Sequence, residues 1–122
     1  MSENKQYLAQ KLEKGTLLIN ESVLETIITD AVNEVEGVAG LSSKPGMDII
    51  EVIGKKNIGR ALKISISQNN EVRVICNINV FYGQNVVEIA KTVQMAIKNA
   101  LESSANAVVA GINVNVCGIV RK

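Results

Sequence analysis

The apolar pattern of this sequence predicts an α+β fold. The expected form is a two-layer sandwich in the order β-α-(short α)-β-β-α-β, with a mostly antiparallel sheet and two long helices on one face. Three observations lead there. Two segments repeat apolar residues at helical spacing, around Leu24–Val35 and Val86–Leu101. Three segments alternate apolar with polar side chains, as half-buried strands do. The chain has 122 residues, 47% of them hydrophobic, enough to bury one core without a metal or disulfide.

Each element has a local cause. Residues 1–14 carry charges throughout, which predicts a flexible arm, frayed or loosely helical, and no signal peptide. The single domain is expected over residues 15–122. Gly15 opens a short strand, Thr16 to Ile19. Ser22 with Glu25 reads as a capping box for the first long helix. Leu24, Ile27, Ile28, Ala31, Val32 and Val35 form its apolar face, and Gly37 supplies a left-handed end. Val38 to Gly46 reads as a loop, Met47 to Ile53 as a short helix, and Gly54 to Gly59 as a basic turn.

Leu62, Ile64 and Ile66 then alternate with Lys63, Ser65 and Ser67. Gln68-Asn69-Asn70 turns the chain, because Asn tolerates positive φ. The return strand sets Val72, Val74, Cys76, Ile78 and Val80 against Arg73, Ile75, Asn77, Asn79 and Phe81. Asn85 with Glu88 starts the second long helix, which ends near Ser104 to Asn106. Ile112, Val114 and Val116 alternate with Asn113, Asn115 and Cys117 in the last strand. Strand parity therefore buries Cys76 and puts Cys117 on the opposite face from Ile112, Val114 and Val116.

Composition excludes much chemistry. The chain has no His, which removes Ser-His-Asp and Cys-His catalysis and His-containing zinc sites. Its two cysteines are far apart, with no CxxC, so neither a metal nor a cofactor is expected. The carboxylates of Glu21, Glu25, Asp30, Glu34 and Glu36 sit mostly on the polar side of a helix. Residues 1–36 hold seven acidic and three basic side chains, residues 44–73 six basic and three acidic, and the net charge is +1. Lys55, Lys56, Arg60 and Lys63 form a candidate basic patch. Val52-Ile-Gly54-Lys-Lys-Asn57 is near the glycine loop of KH domains, but Asn57 stands where a second glycine belongs and a strand follows instead of a helix. With only three aromatics to stack on bases, nucleic-acid binding is weakly supported. No small-molecule substrate is expected.

In this fold one sheet face stays uncovered. By parity it would carry Ile75, Asn77, Asn79, Phe81, Asn113, Asn115 and Ile119, a mixture of amides and apolar anchors suited to a partner or to a second copy.

Two stretches together resemble a known family. The first is Gly15-x-Leu17-x-Ile19, Val23-Leu24, Ile27, Ala31 and Glu34-Val-Glu-Gly37-Val38-Ala-Gly40-Leu41. The second is Val80-Phe-Tyr82-Gly83, Ile89-Ala90-x-x-Val93-Gln94 and Val114-Asn-Val-Cys-Gly118-Ile119. Between them Gly54-Lys55-Lys56-Asn57 also fits. They resemble the alkaline shock and general stress (Gls-type) proteins, the envelope stress response family of Gram-positive bacteria. Ala105-Asn106-Ala107 departs from the family's Thr-Gly-Leu, which puts the end of the second helix in question. The resemblance implies a non-enzymatic cytoplasmic protein of cell-envelope homeostasis that forms homo-oligomers and binds protein partners. It implies contact with the membrane inner face only through a partner. An alternative is a regulator that binds a lipid-synthesis enzyme, and a further alternative is a KH-like nucleic-acid module.

Overall fold

The computed structural model describes residues 6–42 and 61–121. The element order is β1 (Tyr7–Leu12), β2 (Gly15–Asn20), α1 (Glu21–Asn33), β3 (Val38–Leu41), β4 (Leu62–Ile66), β5 (Glu71–Phe81), α2 (Val86–Ala105) and β6 (Val108–Val120). The fold is the predicted α+β sandwich. The expected short helix over 47–53 and the basic turn at 54–59 lie outside the described residues.

β5 is the centre of the main sheet. Along one edge it pairs in parallel with β6 from Glu71↔Val108 to Phe81↔Val120. Its other edge is shared by two antiparallel strands placed end to end. β4 takes Val72 to Cys76, and β3 takes Ile78 to Val80. The α2 crossover between β5 and β6 is what a parallel pair requires. Val72, Val74, Cys76, Ile78 and Val80 all point toward α1 and α2 and are buried. Against them pack Leu24, Ile28 and Val32 from α1 and Ile89, Val93, Ile97 and Leu101 from α2.

Three local expectations need correction. The arm over residues 1–14 contains a strand, not a loose helix. β1 pairs with β2 as a hairpin, and Leu8 is completely buried. Asn70 fastens this hairpin: its Oδ1 accepts from the Ala9 N–H at 2.9 Å, and its Nδ2 donates to the Ala9 carbonyl. Gln10 Nε2 donates to the Ala105 and Asn106 carbonyls at 2.7 and 3.0 Å, satisfying the end of α2. These bonds join residues far apart in the chain, so the local pattern Tyr-Leu-Ala-Gln-Lys-Leu could not announce them.

The stretch beginning at Val38 is likewise a strand, β3, where a loop was expected. Its four residues are half-buried and are ordered by pairing with β5. Finally, α1 is capped by Asn20, whose Oδ1 accepts from the Ser22 N–H at 2.9 Å, and not by Ser22 with Glu25. Both residue types cap helices. The chain becomes helical at Glu21, which leaves Ser22 inside the first turn. At the other end of the bundle, Asn85 caps α2 through the Glu88 N–H, as the spacing predicted. Asn106 adopts the left-handed conformation (φ 53°) that closes α2, so the departure at Ala105-Asn106-Ala107 costs the helix no cap.

Candidate interaction surface

The side of the sheet away from the helices holds most of the residues singled out from the sequence. In β5 it carries Arg73, Ile75, Asn77, Asn79 and Phe81, and β4 adds Lys63 opposite Ile75. Ile75 is 39% exposed, and Asn77, Asn79 and Phe81 are half-buried. Asn113 and Asn115 of β6 are both exposed. Asn115 Nδ2 donates to Asn77 Oδ1 at 2.9 Å, joining the two strands in the middle of the face. The structure therefore brings together six of the seven candidates.

Ile119 is the exception and a correction. Two register shifts interrupt the β5–β6 ladder, between Val72/Arg73 and between Ile78/Asn79. Each inserts one extra residue into β6, Ala110 and Cys117. After the second bulge Gly118 pairs with Asn79, Ile119 with Val80 and Val120 with Phe81. Paired residues of parallel strands point the same way, so Ile119 falls on the helix side of the sheet, where it is 58% exposed. Val120 takes the outer side instead. Simple alternation from Ile112 could not foresee this, because a bulge shifts every later residue by one.

The glycines beside the two bulges seat β5 side chains. A Cβ on Gly118 would come within 2.8 Å of Asn79 Oδ1, and one on Gly111 within 3.0 Å of Arg73 Nη1. Those close approaches let Asn79 and Arg73 lie across β6. The sequence offered the glycines as a signal, but not what they accommodate. Of the basic patch, Lys63 is exposed on β4, and Lys55, Lys56 and Arg60 lie outside the described residues.

The chemistry of the face is quiet. Cys76 is completely buried on the other side of the sheet, and burial first, with Cys117 second, pushes its thiol up to about 11. A thiol so held is a poor nucleophile at neutral pH. Burial and the neighbouring Glu25 raise Glu21, at the start of α1. Two open grooves flank α2. One, of about 580 Å³, lies against α1 and includes Asp30, Glu34 and Glu36. The other, of about 510 Å³, lies against β6 and includes Lys91, Met95 and Lys98. Among the described residues no three His, Cys, Asp or Glu side chains converge on a cation position. No helix of the described residues is long and apolar enough to cross a membrane.

Residues 9–121 match the model of the alkaline shock protein 23 family, described by a cell envelope-related function. The chain belongs to this family. The resemblance read from the sequence thus holds over most of the length. Among this alkaline-shock-family chain's relatives is the uncharacterized protein YqhY of Bacillus subtilis (strain 168), 27% identical over 106 residues, which span 86% of this chain and 77% of that one. Another is the uncharacterized protein YloU of the same strain, 23% identical over 107 residues, 86% of this chain and 88% of the other. Among solved structures, two variants of the MamM CTD are similar at 15% identity and a TM-score of 0.49. They cover 80% and 81% of this chain and 94% and 98% of their own.

Proposed function

We propose that this member of a cell-envelope family works without catalysis, by assembling with copies of itself and holding a protein partner through the side of its sheet away from the helices. It acts in the cytoplasm and reaches the membrane inner face through that partner. The observation that carries this reading is the outer face of β5 and β6. Its centre is an amide pair, Asn77–Asn115, next to the exposed Ile75. Amides and isolated apolar anchors tolerate both water and a protein surface, as moderate interfaces require. A face built for turnover would instead gather an acid, a base or a nucleophile.

Size-exclusion chromatography with light scattering, using native protein and Ile75→Glu, tests the reading. The native protein should exceed the mass of the 13.1 kDa chain as concentration rises. The variant, with a charge in the middle of the face, should associate at least about tenfold more weakly. A native protein that stays monomeric to millimolar concentration overturns the self-association.

A further inference from the structure

The two edges of the main sheet differ. One is made of the short strands β3 and β4, and β4 carries the exposed Lys63. Short strands and lysines are the usual protection of an edge against pairing. The other edge is β6, thirteen residues from Val108 to Val120 with no charge and no proline. Among the described residues no strand pairs with its outer side. At about 3.3 Å per residue it runs roughly 43 Å.

The backbone of that edge has a definite polarity. Gln94 Nε2, from α2, donates to the Ile112 carbonyl at 2.9 Å, so this carbonyl points away from β5. In a regular strand alternate residues direct both N–H and C=O to the same side. Between the bulges at Ala110 and Cys117, the outward residues are therefore Ile112, Val114 and Val116, centred on Val114. A carbonyl has two lone pairs, so Ile112 can accept a second bond beside that from Gln94.

We propose that β6 pairs antiparallel with β6 of a second copy, about a two-fold axis at Val114, joining the two sheets into one. This rests on the self-association proposed above and adds a contact at the edge of the sheet to the one at its outer face. Val114 would face its own counterpart, and Ile112 the partner's Val116. Those are hydrogen-bonded pairs, and together they satisfy the outward groups of both strands. The same register sets Asn113 against the partner's Asn115 on the outer face. It also sets the exposed Val108 against the partner's Val120, and Val109 against the partner's Ile119 on the helix face. Each of these pairs joins residues that the β5 register places on the same face, which a slip by one residue would undo. A two-fold contact requires a surface complementary to itself, and an uncharged strand is one. On the α2 flank of this edge, Lys98 pairs with Glu102 at 2.8 Å.

The register gives a specific test on the full chain. Asn113→Lys with Asn115→Lys places like charges directly opposite across the axis. Asn113→Lys with Asn115→Glu places opposite charges there. Light scattering should show a native dimer, at least about tenfold weaker dimerisation in the double-lysine variant, and recovery in the Lys–Glu variant. Circular dichroism should be the same in all three, since both positions are exposed. Amide exchange at Ile112, Val114 and Val116 should slow as native protein concentration rises. An oligomer indifferent to both variants, or lost equally in both, overturns edge pairing and leaves self-association standing. Concentration-independent exchange at those amides in an oligomeric native protein does the same. A native monomer at every concentration overturns both proposals together.

Discussion

The two sides of β5 are built from one strand by opposite rules. Val72, Val74, Cys76, Ile78 and Val80 face the helices, and none is more than 1% exposed. Arg73, Ile75, Asn77 and Asn79, one position along, face outward among amides and glycines. The inner side works by volume and dryness, so each side chain there is constrained by its neighbours. The outer side is more open, and its side chains are less constrained by packing. Packing stability is thus concentrated on the inner face, and the proposed recognition lies on the outer one.

The largest expected contrast comes from two isoleucines three residues apart. Ile78→Ala should lower stability by about 2–5 kcal/mol, because it opens a cavity between the sheet and both helices. Ile75→Ala should change monomer stability by less than about 1 kcal/mol. Urea unfolding of the two variants measures the difference. Equal losses would mean that the outer face is packed in the monomer as tightly as the inner one.

Cys76 gives the same contrast through pH. The unfolded thiol releases its proton near 9.0, and the native thiol holds it to about 11. Between those values the unfolded chain binds fewer protons, so stability falls as pH rises. The contribution is complete below 9.0 and decreases by roughly 2–3 kcal/mol by pH 11. Comparing native protein with Cys76→Ala across that window isolates the thiol from the lysines and tyrosines. An identical slope in both would contradict the burial. The smallest effect is expected for Asn115→Ala, which removes the Asn77 contact on the open face. It should cost less than about 1 kcal/mol in thermal unfolding, since water replaces the lost bond.

The same contrast explains what could be read from the sequence. The inner face was legible because burial enforces alternation over β4 and β5 and a helical period over α1 and α2. Asn85 and Asn106 announced the ends of α2 by their own local chemistry. What escaped depends on contacts between distant residues. β1 is held by its hairpin with β2 and by the distant Asn70, and β3 by β5, with only Leu8 completely buried in the two strands. The bulges at Ala110 and Cys117 arise from β6 being one residue longer than β5 at each point, and they moved Ile119 off the face to which alternation had assigned it. Six of the seven candidate surface residues were legible because they precede the second bulge or lie on β5.

On the proposed function, the outer side of this sheet meets other chains. Sedimentation velocity of the native protein from micromolar to millimolar concentration tests it most directly. A concentration-dependent species of at least twice the 13.1 kDa chain mass is expected, reduced by Ile75→Glu without loss of helical circular dichroism. A single 13.1 kDa species at every concentration would contradict it.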